Sequence, residues 1–301
     1  MTNLLNGRFA DPTNDFAFKR IFGTEQYKDA TIGLLNSIFP ELDIVDVEFP
    51  ENELIGETAY SRKGFIDVLC VDSKQRNFIV EMQNARQEHF RERAVFYSSK
   101  LITRQAPAGK WDYSLMPTYV VAFLNFSLKC LGSDAVEDGQ YILRYVSHES
   151  SSGRKMPGST EFVFLGLKDF DKNEDELQSI PEKWIYLLKN TLSFNEIPDS
   201  FKSDKAFEIY FCACERAGFS KEEDAKYTRT MMNEWDIQNA KDLAVREGRE
   251  EGRAEGREEG REEGREEGKA SVARKMLEDG LPLEMISKYT GLNQEQIESL
   301  K

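Results

Sequence analysis

Two carboxylates lie where buried strands should be apolar: Asp67 within Lys63–Asp72 and Glu81 within Asn77–Gln83. The apolar runs around them, Phe65–Val71 and Phe78–Met82, are β-branched and aromatic and too short for helices, so each reads as a strand. Asp72–Arg76 between them is polar and suits a tight exposed connection. Strand side chains alternate faces. Phe65, Asp67, Leu69 and Val71 therefore share one face of the first strand, and Ile79, Glu81 and Gln83 one face of the second. If Asn77 pairs with Val71, antiparallel register sets Leu69 opposite Ile79 and Asp67 opposite Glu81, with Cβ atoms roughly 4.5–5.5 Å apart. Two like charges that close on an apolar sheet repel and lose hydration. A divalent cation between them removes both penalties. Mg²⁺ takes one or two carboxylates, keeps several waters and accepts phosphate oxygens. Gln83 points to the same spot and could orient a water. In the competing reading both carboxylates are solvated on the open face of a sheet.

Other elements must hold this hairpin. Asn14 or Asp15 can cap a helix from about Phe16, with Lys19 and Arg20 on its basic side. A second helix fits Lys28 to Phe39 and stops at Pro40. Asp43–Glu48 reads as a strand and Glu51–Arg62 as irregular. Gln87–Gln105 has a helical pattern. Met116–Phe126 is a strongly apolar strand suited to the middle of a sheet. Tyr141–Val146 and Phe162–Leu167 read as further strands, joined by a Ser/Gly-rich mobile loop, Ser147–Ser159. From Pro181 the chain turns helical, with amphipathic segments at Trp184–Leu188, Ala206–Cys214 and Tyr227–Trp235.

Composition narrows the chemistry. Only two histidines occur, His89 and His148, so hydrolysis must rest on carboxylates. Cys70, Cys130, Cys212 and Cys214 show no zinc or disulfide spacing, which fits a reduced, cytoplasmic compartment. No apolar run approaches the ~20 residues of a membrane span. The net charge of −14 argues against a general nucleic-acid binder. Yet Arg86–Lys110, directly after the hairpin, holds six bases against two acids.

These residues resemble a known family. Asp67 with Glu81-Met82-Gln83 is similar to the metal-binding signature of the PD-(D/E)XK nuclease superfamily. Asp11–Gly23, Gly64–Leu69, Ile79–Gln83 and Arg91–Lys100 resemble, in order, its recombination-promoting (Rpn) or transposase-like branch, and the likeness runs to about Trp235. Two positions depart from the superfamily pattern: Ile66, where Pro is usual, and Gln83, where Lys is usual. Gln is common in this branch. The resemblance implies an α/β, restriction-endonuclease-like core with a mixed central sheet flanked by helices. It implies metal-dependent hydrolysis of DNA, with Asp67, Glu81 and the Met82 carbonyl holding Mg²⁺ (or Mn²⁺) and Gln83 positioning the attacking water. Asp15 is a weaker candidate ligand, with helix capping as its alternative. Lys19, Arg91, Arg93, Tyr97 and Lys100 are the candidate DNA contacts, with packing as the default reading for Tyr97. A cation such as Arg91 or Arg93 would stand in for the missing lysine.

The C-terminal part differs in kind. Arg249–Gly268 repeats Arg-Glu-Glu-Gly five times, with Ala254 in the second copy. Each Gly costs ~1 kcal/mol against Ala, and Glu–Arg pairs return a few tenths each. A solvated, partly helical spacer is favoured over a helix that packs Gly against Gly in a second copy. Beyond it, helices at Ala270–Glu278, Pro282–Tyr289 and Asn293–Leu300 are marked by Pro282, Gly280 and Gly291. Met276, Leu277, Leu283, Ile286, Tyr289, Leu292 and Ile297 would form a small core. The pattern looks like a truncated helix–turn–helix, but Leu281–Lys301 holds only Lys288 and Lys301 as bases, which favours a self-association or docking tag. The expected divisions are 1–170 nuclease core, 171–245 helical extension, 246–268 repeat and 269–301 helical tail. Three functions follow: a DNA endonuclease tied to recombination, mobile elements or defence; a nuclease fold that no longer cuts and binds or assembles, as a homo-oligomer through its C-terminal region; and a nuclease restrained by its acidic tail.

Overall fold

The computed structural model describes residues 7–50, 53–54, 64–106, 109–132 and 136–300. Most of the Glu51–Arg62 stretch expected to be irregular lies outside them. Contacts divide the chain into two compact units, Met1–Met231 and Met232–Lys301.

The first unit opens with α1 (Asp15–Phe22) and α2 (Lys28–Ile38). Asn14 caps α1: its side chain accepts from the N–H groups of Phe16 and Ala17, so Asp15, the other candidate, is not the cap. Strands β1 (Val47–Glu48), β2 (Glu53–Leu54), β3 (Gly64–Phe65), β4 (Val68–Asp72) and β5 (Asn77–Gln83) follow. Then come α3 (Phe90–Arg104), β6 (Thr118–Leu124), β7 (Ile142–Val146) and β8 (Thr160–Gly166). Helices α4 (Ile180–Asn190) and α5 (Lys205–Cys214) precede α6 (Lys221–Glu278).

Six strands form one mixed sheet in the order β1-β4-β5-β6-β8-β7, and β2 pairs with β3 separately. β6 is parallel to both β5 and β8, and all of it is buried, as a fully covered inner strand requires. The pleat divides the core in two. Val68, Cys70, Phe78, Val80, Val121 and Phe123 face the helices α1, α2, α4 and α5. Leu69, Ile79, Val120, Ala122 and Leu124 face Phe90, Ala94 and Leu101 of α3. Gly33 lets α2 and α5 approach closely, since a Cβ there would lie 2.3 Å from the Ala206 Cβ.

Two segments differ from expectation for local reasons. The strand expected over Asp43–Glu48 shrinks to Val47–Glu48, because Asp43 is left-handed (φ 46°) and the Asn36 side chain takes both backbone groups of Ile44. Ser147–Ser159 is a hydrogen-bonded hairpin rather than an open loop. His148 pairs with Lys155, and the Glu149 carboxylate accepts from the N–H groups of Ser151 and Ser152.

The second unit contains most of α6, which is helical throughout the repeat with every repeat residue exposed. The partly helical spacer is thus a continuous helix; each repeat supplies three good helix formers and no Pro. α7 (Leu283–Thr290) and α8 (Gln294–Glu298) close the unit with the end of α6. Gly280 and Gly291, at φ 75° and 72°, make the left-handed turns. Ala273, Ile286, Leu292 and Ile297 form its core, with Leu281 and Leu300 against them. Tyr289, expected inside, is 70% exposed.

Candidate nuclease site

The β4–β5 register pairs Val71 with Asn77 and Leu69 with Ile79 as expected and ends at Val68 with Val80, one step short of Asp67. β4 itself begins one residue later, at Val68. Asp67 sits at a bend, and its Oδ2 accepts from the Met82 N–H at 3.0 Å. A side-chain carboxylate thus takes the donor that another ladder residue would have taken. The bend also ends the alternation: Ile66 is buried with Leu69 and Phe90 rather than with Val68. In a strand the N–H and C=O of one residue project to the same edge. The Met82 carbonyl therefore faces the Asp67 side, while the Gln83 carbonyl turns to β6 and accepts from Asn125 N–H at 2.9 Å. Neither carboxylate lies open to water: the side chains of Asp67 and Glu81 are 20% and 7% exposed. That removes the reading in which both are solvated.

Each carboxylate has a cation beside it. From α1, Lys19 Nζ donates to Asp15 Oδ1 at 2.6 Å and lies 3.6 Å from Asp67 Oδ1. From α3, Arg93 Nη2 donates to Gln83 Oε1 at 2.7 Å and lies 3.8 Å from Glu81 Oε2. Gln83 Nε2 donates to the same Glu81 oxygen at 3.3 Å. Arg93 also donates to Gln87, and its guanidinium lies over the rings of Phe90 and Tyr97 at 5.4 and 6.0 Å. Burial, then the Asp67 charge, push the Glu81 carboxyl up to about 7, against Arg93 and Lys19. Asp67 is also raised, by burial first, against its Met82 bond and Lys19. Burial would lower the Lys19 ammonium, but Asp15 and Asp67 outweigh it and the net shift is upward.

The fold therefore gathers Asp15, Lys19, Asp67, Glu81, Met82, Gln83 and Arg93. Arg91 instead lines a separate groove with Arg86, His89 and Cys130. Lys100 sits 5.0 Å over the Phe96 ring, on the same side of α3 as Arg93. Tyr97 packs against the α3-side core. Two residues at the site escaped the sequence reading. Gln87 holds Arg93, and Asn84 donates to the Thr13 carbonyl at 2.7 Å, tying the end of β5 to the start of α1. The signal was there: three amide side chains, Gln83, Asn84 and Gln87, follow Glu81 closely.

Among the described residues, no group of three His, Cys, Asp or Glu side chains is arranged to hold a metal. Two carboxylates and one carbonyl still suit Mg²⁺, which takes its other oxygens from water and phosphate. The all-oxygen set and a Glu81 raised in part by Asp67 fit a divalent cation.

Comparison with known families gives two matches. The PD-(D/E)XK nuclease family transposase matches residues 12–244. The C-terminal HTH domain of the Rpn/YhgA-like nuclease family matches residues 266–301. No curated protein and no solved structure matches. The second match supports the helix–turn–helix reading of the tail, which charge had ranked below a docking tag. Among the described residues no helix is long and apolar enough to cross a membrane. Because the first match covers most of the chain and every residue gathered at the β4–β5 hairpin, the chain belongs to the PD-(D/E)XK nuclease family transposases.

Proposed function

We propose that this protein is a metal-dependent DNA endonuclease with its reaction centre at Asp67 and Glu81. The observation that carries the reading is that two largely covered carboxylates, each flanked by a cation, lie near enough for the Asp67 charge to raise the Glu81 carboxyl. Asp67, Glu81 and the Met82 carbonyl would hold Mg²⁺ or Mn²⁺. A bound ion would supply an acidified water and neutralise charge on the phosphoryl oxygens. Gln83 is fixed at both ends, by Glu81 and by Arg93, and orients the attacking water. Gln has no charge to offer the transition state, and Arg93, rather than Arg91, is the guanidinium that holds Gln83 and lies beside Glu81. Lys100 continues the basic stripe of α3 past Phe96 and Tyr97, and with Arg91 holds DNA phosphates. The helix–turn–helix tail offers a second DNA contact, and α6 a route to a homo-oligomer. The free thiols of all four cysteines suit the cytoplasm.

A closed circular plasmid tests the activity, because it offers no ends. Nicked or linear product with Mg²⁺ or Mn²⁺, and none with EDTA, is expected. An intact plasmid under every divalent ion, with the protein folded, would favour the alternative of a nuclease fold that binds and assembles without cutting.

A further inference from the structure

The geometry points to Lys19 as a catalytic residue and to Asp15 as its positioning residue: the Lys19 ammonium contacts the scissile phosphate and takes the charge-stabilising place that Gln83 cannot fill. This rests on the reading of Asp67 and Glu81 as a nuclease centre and adds a residue from a different element.

Three observations carry it. First, the position: Lys19 Nζ is 3.6 Å from Asp67 Oδ1, so the ammonium adjoins whatever the carboxylates hold. Its side chain is 40% exposed, so substrate can reach it. Second, the grip. Asn14 already caps α1, which releases the Asp15 carboxylate from that duty, and it accepts from Lys19 Nζ at 2.6 Å. An ammonium has three N–H donors, and Asp15 orients it with one. The tighter contact is with Asp15 and the looser one with Asp67. Third, the mounting: α1 is a rigid base. The neighbouring Arg20 is 7% exposed, lies over the rings of Tyr27 and Phe219 at 4.8 and 4.5 Å, and pairs with Glu223 at 3.0 Å. Phe18, Ile21 and Phe22 anchor the other side. Arg93 cannot serve both carboxylates, since Gln83 and Gln87 tie it to the Glu81 side.

The test is single-turnover cleavage of a short duplex with Mn²⁺, beside the affinity for the same duplex in EDTA. Lys19→Met should lower the rate at least about 100-fold while its affinity changes less than threefold; Lys19→Gln is the second variant should Met fold poorly. Lys19→Arg should recover part of the rate. Asp15→Asn should cost about tenfold in the wild type and nothing further in Lys19→Met, because a residue that acts only through another shows no independent effect. An unchanged rate in Lys19→Met, or an affinity loss that accounts for the whole defect, would overturn the catalytic role. An equal Asp15→Asn cost in both backgrounds would overturn the positioning role and favour Asp15 as a metal ligand. Wild type and Asp67→Ala run alongside separate the two readings. Full activity in Lys19→Met where Asp67→Ala is silent defeats the Lys19 assignment alone. Silence from the folded wild type defeats the nuclease reading and this one with it.

Discussion

Glu81 has the most strained ionisation at the site, and it makes stability depend on pH. Its folded carboxyl is raised to about 7, against an unfolded value near 4.5. Between these pH values the folded state binds more protons than the unfolded one, so stability falls as pH rises through the window. In metal-free wild type the loss is complete above pH 7 and on the order of 3 kcal/mol. Glu81→Gln should therefore unfold at a higher temperature than wild type at pH 8 in EDTA, with the difference gone below about pH 4.5. Equal unfolding midpoints at pH 8 would show that Glu81 carries no such penalty. The Leu69–Ile79 register, which brings Asp67 near enough for its charge to act on Glu81, was legible in the sequence, because a polar turn and two apolar runs leave one good register. The bend at Asp67 was not: a side chain that takes a ladder donor leaves no trace in hydrophobic alternation. Nor could spacing separate Arg91 from Arg93, since only the helix phase and the ring pair Phe90 and Tyr97 decide which guanidinium turns inward.

Among the elements, α1 is the one on which the proposed chemistry depends most. Asn14 is fully buried and caps the helix that carries Asp15 and Lys19. Asn14→Ala should cost about 1 kcal/mol of stability, or somewhat more given the burial, seen as a lower urea midpoint at unchanged slope. No loss would mean that water or a neighbour replaces the cap. The strongly periodic or strongly apolar elements were readable: α2 with its Pro40 stop, and β6 with its central place. Asp43–Glu48 was over-read as strand because Asn36, a single polar side chain from another helix, satisfies the backbone of Ile44.

For the whole molecule, charge is the informative quantity. The chain is acidic at −14, each Arg-Glu-Glu-Gly adds one negative charge, and the repeat lies exposed along α6. That charge motivates a test for competition with DNA phosphates. Deleting the repeat alone, Arg249–Gly268, should raise plasmid cleavage at low salt, with the gain shrinking as salt screens exposed charges. Unchanged cleavage would count against a restraining tail. The tail's helices were legible from Pro282, Gly280 and Gly291, whereas its packing was less so: Tyr289 fits the helical stripe yet stands in solvent, and the small Ala273 fills the centre.

The central claim is that the β4–β5 hairpin is the reaction centre, and the most direct measurement is the plasmid cleavage rate of Asp67→Ala relative to wild type with Mn²⁺. Removing one of the two proposed ligand carboxylates should cost at least about 1,000-fold, in line with ~4 kcal/mol of lost transition-state stabilisation. A rate within tenfold of wild type, still abolished by EDTA, would place the metal and the chemistry elsewhere in the protein.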